Sequence, residues 1–482
     1  MTSTTTAMQQ YGVPAAPGSA RAGGTSAGLV LLYSQAYQQL QPAYPLTTRE
    51  VFIGRDPTCA ITVPERAVSR RHAMLHYHDD GWHLRDMGGS NGTIVNGRSV
   101  TDVELEHLDE IRVGDTVLKF ITTGAENYMG YCIDGTMVGN AQRRATRLTE
   151  LVGGWAIDRI GQQLERIAPV ELSIIIQGES GTGKEVVARE LHRLSGRTGP
   201  LHAVNCAAIP PNLIESELFG YKRGAFSGAD RDKLGLIAAA NHGTLLLDEI
   251  GDMPMEAQAK LLRVIQTREV YPVGATTAHH VDVRFICATN RDLTRMVKEE
   301  RFRGDLHARL NEFSIALPPL RERKEDIYAL SRELIVRHGH TDKQISFPLM
   351  LALLHYDWPY NVRELEACLR RAAAVTDGPV LDPRHLPDPV REEMEAYGTR
   401  VTPASMRPGP PLPAAGQPAA GNPPPPEPPR RRSPPPSEEQ LRELLTIHRG
   451  NVAAVGRELG KERMQVHRWM QRYGIVVDDY RV

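Results

Sequence analysis

The octapeptide GESGTGKE, Gly178 to Glu185, constrains this chain more than any other stretch. It follows an apolar run, LSIIIQ, and opens the helical pattern KEVVARELHRL. Strand, glycine-rich turn and helix N-terminus in that order make a G-x-x-x-x-G-K phosphate loop. Gly178, Gly181 and Gly183, with Glu179, Ser180 and Thr182 between them, let backbone N–H groups converge on phosphate oxygens at a helix start. Lys184 adds a point charge for the β- and γ-phosphates. Glu185 stands where the general motif has the Ser or Thr that ligates magnesium, so the metal must lean on other groups.

Those groups are expected at GTLLLDE, where an apolar strand ends in Asp248 and Glu249. Asp248 is the candidate magnesium ligand, and Glu249 the group that orients and deprotonates the water attacking the γ-phosphate. A third strand closes in ATN and brings Asn290 to the same sheet edge, where α/β sheets bind ligands. FRGDLHARLN sets Arg303 and Arg309 six residues apart; they read either as helix-surface arginines or as fingers reaching a neighbouring subunit's γ-phosphate, which requires a ring.

The chain of 482 residues is too long for one core and predicts about three domains with linkers. Residues 1–27 read as a disordered tail without a secretory signal. Residues 28–122 carry short strand-like runs (GLVLLY, EVFIG, HAMLHYH, TVLKFI) between Gly, Asn and Asp turns, the pattern of an all-β sandwich. Residues 145–320 alternate strands and helices, predicting a parallel sheet covered on both faces. Residues 321–393 read as all-helical. Residues 394–436 form a linker, since 15 of the 35 prolines fall between 403 and 436 and such a segment packs no core. Residues 437–475 are again helical.

With 57 basic and 58 acidic side chains, a uniformly basic nucleic-acid coat is excluded and any DNA contact must be confined to one module. Five scattered cysteines without a C-x-x-C argue against a disulfide framework or zinc ribbon. No window has the 18 or more apolar residues of a membrane span. A cytoplasmic protein without a membrane partner is expected.

A lone aromatic in GYKRGAFSGADRDKLG, Phe226, stands between glycines on a polar loop with none of the neighbours of a core. Together, GESGTGKE, VNCAAI, ESELFGYKRGAFSGA, GTLLLDEI, FRGDLHARLN and WPYNVREL resemble the AAA+ ATPases that activate sigma-54 RNA polymerase in bacteria, over residues 145–375. The resemblance implies ATP and Mg2+ as ligands, with Glu185 usual after the loop lysine. It also implies that Asn205 restrains Glu249 until ATP binds, that Arg363 senses nucleotide from a helical lid, and that Gly224, Ala225, Phe226, Ser227, Gly228 and Ala229 touch sigma-54. The family's loop reads GAFTGA; Ser227 keeps the hydroxyl but drops a methyl and the β-branched stiffness.

In the β region, IGRDPTCAITV, VSRRHAML and DMGGSNGTIVNG place Arg55, Ser69, Arg70, Ser90 and Asn91 in loops. With His72 they resemble a forkhead-associated (FHA) domain. Arg55, Ser69 and Arg70 would then take phosphate, Ser90 and Asn91 the peptide backbone, and His72 would brace the loops. The ligand would be a phosphothreonine on another protein or on this chain's own Thr-rich N-terminus.

The C-terminal segment starts with a possible capping box, Ser437 and Gln440, and carries a local net charge of +4 between His448 and Ile475. It resembles a Fis-type helix-turn-helix, with Gln465, His467, Arg468 and Arg472 as candidates for enhancer DNA. The expectation is therefore a multidomain activator: FHA sandwich, α/β ATPase with helical lid, and small all-α DNA reader, acting as a homo-oligomeric ring on the sigma-54 holoenzyme. Two rivals are a phosphopeptide-binding adaptor whose ATPase domain only oligomerises, and an ATPase with another target.

Overall fold

A computed structural model describes residues 26–79, 81–137, 150–226, 229–395, 397, 436 and 438–448, with isolated positions 455, 466, 469, 470, 473, 475 and 480 beyond. The chain divides into two compact units, residues 1–410 and 411–482.

In the first unit, residues 28–121 form the expected sandwich. One sheet runs Ala43–Pro45, Gly28–Tyr33, Thr116–Ile121, Glu110–Val113, Thr93–Val95, Arg98–Val100; the other runs Ile61–Thr62, Glu50–Gly54, Ala73–His78, Gly81–Asp86, Asp102–Glu104. Alternation sets the faces: Val51, Ile53, Leu75 and Leu84 turn inward and are buried, while Met74, His76, His83 and Arg85 turn outward. The central strands Gly28–Tyr33 and Thr116–Ile121 are buried along their whole length, on both faces. A one-sided sandwich sheet would alternate there, so something covers the outer face.

The turn Ala125–Tyr128 covers Val30 and Ile121, and the segment Leu320–Asp326 with the helical lid behind it covers the rest. Buried apolar side chains of the sandwich and of the lid form one continuous cluster. Across the join, Tyr33 meets Tyr328 edge-on at 5.3 Å and stacks on Phe347 at 6.0 Å. The Arg112 guanidinium lies over Phe347 (5.1 Å) and Tyr397 (5.8 Å). Lys119, 2 % exposed although it lies mid-strand, forms an ion pair with Glu325, and Lys324 Nζ lies 3.4 Å from Glu110 Oε2.

The ATPase sheet is wholly parallel. Its order is Leu201–Asn205, Thr244–Asp248, Arg284–Thr289, Ile174–Gln177, Phe313–Ala316. The strand that feeds the phosphate loop therefore lies inside the sheet, and three strand ends, at Gln177, Asp248 and Thr289, share one edge. The lid comprises helices Ile327–Arg337, Phe347–His355, Asn361–Ala374 and Asp388–Glu395. It is not entirely helical: Gln344–Ile345 and Val380–Leu381 pair as a short parallel ladder that ties the helical turns together.

In the second unit, Glu438–Ile447 is helical, and Leu441, Leu445, Val455, Val466, Trp469 and Met470 cluster as a small core. Among the described residues no helix is long and apolar enough to cross a membrane.

Candidate functional site

The phosphate loop takes the geometry its glycines allow. Gly181 and Gly183 have φ of +78° and +105°, and a Cβ on Gly181 would come within 2.1 Å of Tyr360 O. Gly183 precedes the helix Lys184–Ser195, whose first turn faces the loop. Lys184 is 8 % exposed; its Nζ donates to Gly178 O (2.9 Å) and Glu179 O (3.2 Å) and lies 3.6 Å from Glu249 Oε1.

At the end of the neighbouring strand, Glu249 adopts φ +49°, a left-handed conformation uncommon outside glycine, and its Oε2 accepts the backbone N–H of Asn290 (3.2 Å). Asp248, Glu249, Lys184 and Asn290 are thus gathered at one sheet edge. Asn205 differs from expectation: its Nδ2 reaches Asp248 Oδ2 (3.4 Å) and its Oδ1 accepts N–H groups of Ala207 and Ala208, so the amide is tied to Asp248, not to Glu249. The backbone explains the change, because Asn205 and Asp248 are register partners in adjacent parallel strands.

Three lid-side residues hold the loop that sequence reasoning had not singled out. Arg321 grips Glu179 with both Nη atoms (2.8 and 2.6 Å), which holds the Glu179 carboxyl below its ordinary range. Asn361, fully buried at φ +52°, donates to Glu179 Oε2 (3.1 Å) and Ser180 O (3.0 Å) and accepts from Leu320 N (2.7 Å). Arg323 donates to Thr182 O (3.1 Å). Arg363, which the sequence did point to, reaches Ser180 Oγ (3.1 Å). The signal for Asn361 lay in the same WPYNVREL string, two residues before Arg363.

Arg303 caps the helix Gly304–Leu310 and pairs with Asp305 (2.8 Å). Arg309 is exposed and borders a cavity of about 210 Å³ that also meets Arg197, Arg268 and Arg284. Ser173, Phe285 and Glu312 line this cavity too, which puts it by the amino ends of the parallel strands, opposite the phosphate loop. Arg309 therefore cannot serve the chain's own loop.

In the GAFSGA segment, Gly224 has φ +83°, Gly224 N–H donates to Ala229 O (2.9 Å) and Ala229 N–H to Phe226 O (3.0 Å). Phe226 is 43 % exposed and meets the Tyr221 ring edge-on at 4.9 Å. Lys222 and the Arg223 N–H hold Asp232 at the loop's base, at 2.7 and 2.9 Å. Ser227 and Gly228 lie outside the described residues.

At the sandwich end, buried His72 joins three loops. Its Nδ1 accepts from Ser69 N–H (3.2 Å) and its Nε2 lies 3.0 Å from Gly92 O, which requires the Nε2-protonated tautomer. Arg55 N–H donates to Ser69 O (2.9 Å), and a Cβ on Gly89 would meet Ser69 Oγ at 2.6 Å. Arg55, Arg70 and Ser90 are exposed around this brace. Asn91 donates to Ala67 O (2.7 Å) beside a cavity of about 310 Å³ bounded by Ile94, Arg112 and Asp115. The DNA candidates Gln465, His467, Arg468 and Arg472 lie outside the described residues, as does Ser437.

A phosphate loop in a five-stranded parallel sheet with a helical lid defines a P-loop ATPase domain of the AAA+ class. Family models make it specific: residues 153–316 match the Sigma-54 interaction domain, residues 321–402 the AAA+ ATPase lid domain and residues 51–114 the FHA domain. The putative uric acid sigma-54-dependent transcriptional regulator UacR of Escherichia coli is 49% identical over 248 residues, 50% of this chain and 42% of that protein. Regulatory protein AtoC of Escherichia coli is 47% identical over 232 residues, 47% of this chain and 50% of that protein. Brucella abortus NtrX in complex with ATP aligns at 30% identity over 69% of this chain and 72% of that one, with a TM-score of 0.48. The chain spans about half or less of the length of these two curated relatives. Its matched domains are thus a Sigma-54 interaction domain, an AAA+ ATPase lid and an FHA domain.

Proposed function

We propose that this protein hydrolyses ATP to remodel the sigma-54 holoenzyme at promoters, and that phosphothreonine recognition by its FHA domain regulates that work. The observation that carries the reading is the convergence of Lys184, Asp248 and Glu249 at one sheet edge, with Phe226 exposed on a glycine-hinged loop in the same domain.

Lys184 neutralises charge on the transferred phosphoryl group, and Glu249 takes the proton of the attacking water. Among the described residues the Asp248 carboxylate accepts one long bond, from Asn205, so its remaining lone pairs suit a hard cation held by one or two carboxylates and substrate phosphates. Bound there, Mg2+ would draw charge from the phosphate oxygens. The location of Arg309 by the opposite sheet edge supports its use in trans, hence a homo-oligomeric ring in which Arg303 and Arg309 face a neighbour's nucleotide. Enhancer DNA would be held by the C-terminal module.

The packed join between sandwich and lid supports regulation. Arg112 borders the cavity beside Asn91 and also lies on Phe347 and Tyr397 of the lid. The same lid and the segment before it hold the phosphate loop through Arg321, Arg323 and Asn361. A phosphopeptide that engages Arg112 would thereby bias the lid.

ATPase assays of the wild type and Glu249→Gln test the reading. Hydrolysis by the oligomerised wild type that the variant loses is expected. Equal, negligible hydrolysis by both would favour an adaptor that uses this domain only to assemble.

A further inference from the structure

The outward face of the second FHA sheet holds four side chains that the functional account leaves unused. His76 stands directly opposite His83 across two antiparallel strands, and Asp102 stands opposite Arg85 on the next. Because side chains alternate along a strand, all four share one face. The two imidazoles stack at 5.3 Å, and one donor atom each of His76, His83 and Asp102 lies within 4.8 Å of the others.

Two of these atoms lack partners. His76 Nδ1 and Asp102 Oδ1 are shielded from solvent and make no hydrogen bond among the described residues, and His83 Nδ1 lies 3.9 Å from that oxygen. Shielded polar atoms without partners are costly and call for a bound species. Arg85 accounts for the other carboxylate oxygen, with Nε and Nη2 at 2.8 and 2.7 Å from Asp102 Oδ2. That grip fixes the carboxylate and leaves Oδ1 aimed at the imidazoles, as outer partners do around metal ligands.

We propose that His76, His83 and Asp102 bind a zinc-type divalent cation, with three protein ligands and a fourth position open to water or a partner's side chain. Two imidazole nitrogens and one carboxylate oxygen make a borderline donor set that suits zinc and its neighbours over the all-oxygen preference of Mg2+ or Ca2+. Bonds of about 2.0–2.2 Å would draw the donors to roughly 3.5 Å apart. Small side-chain rotations that open the imidazole stack achieve this. The ion would clip the edge strand Asp102–Glu104 to its neighbour Gly81–Asp86 and to Ala73–His78 beyond it.

The test uses the full-length protein, free of any histidine tag, titrated with Zn2+ against a chromophoric chelator, with bound metal counted by mass spectrometry. One Zn2+ per chain is expected, together with a rise in the FHA melting temperature, and the four-coordinate visible bands of Co2+ on substitution. A His76→Gln/His83→Gln variant should lose the ion while still binding a phosphothreonine peptide, which shows that its fold is intact. Asp102→Asn should lose it too, and Arg85→Ala should weaken it about 10- to 100-fold. Replacing all five cysteines by serine should leave binding unchanged. Zinc retained by the double histidine variant, or absent from the wild type at micromolar metal, overturns the proposal.

Discussion

Replacing Lys119 by methionine probes the join between sandwich and lid at a buried ion pair. Lys119 and Glu325 are 2 % and 7 % exposed, and Asp326 beside them is 2 % exposed. Methionine fills most of the same volume but removes the ammonium, leaving the Glu325 carboxylate facing Asp326 in a dry environment. Breaking a buried pair by deleting one partner costs about 3–5 kcal/mol. Each domain has apolar residues of its own behind the contact, so the cheapest relief is to let the join open. Hydrogen exchange across Leu320–Asp326 and the Tyr33 strand should therefore rise roughly 10²- to 10⁴-fold, since about 1.4 kcal/mol is a factor of ten. Basal ATPase activity should shift with it. Adding Glu325→Leu should restore protection, because a well-packed apolar pair is often as stable as the ion pair it replaces. Unchanged exchange in Lys119→Met, or no rescue in the double variant, would refute the reasoning.

Further outcomes follow from the same geometry. Burial, then the Glu325 charge, pushes the Asp326 carboxyl up to about 7 from 3.8. A carboxyl raised on folding contributes stability that is complete below pH ~4 and lost as pH climbs through ~7. The melting temperature of the wild type relative to Asp326→Asn should thus fall between pH 5 and 8, and a flat difference would contradict the assignment. Arg321→Ala removes a half-exposed bidentate pair worth about 0.5–1 kcal/mol, so ATP affinity measured by a fluorescent analogue should weaken about 2- to 5-fold.

Much of this architecture is legible in the sequence because glycine and charge have few alternative uses. Gly181 has a backbone conformation and a neighbour, Tyr360 O, that no side chain tolerates, and Asp248 ends an apolar strand that nothing else explains. The join was not legible. Lys119 within TVLKFI reads as the polar position of a half-exposed strand, and only the lid packed against it makes it a buried charge. Arg321 and Asn361 escaped for a similar reason: their partners lie more than a hundred residues earlier, in the phosphate loop. Asn205 was visible as a site residue, but its partner depended on strand register, which pairs it with Asp248.

The central claim is that ATP hydrolysis is delivered to sigma-54 through Phe226. Open-complex formation at a sigma-54 promoter, measured by permanganate footprinting alongside ATP turnover for wild type and Phe226→Ala, tests it most directly. The account predicts turnover within about twofold of wild type and open complex reduced more than tenfold in the variant, a loss of over 1.4 kcal/mol in coupling. Open complex at the wild-type level from Phe226→Ala would contradict it.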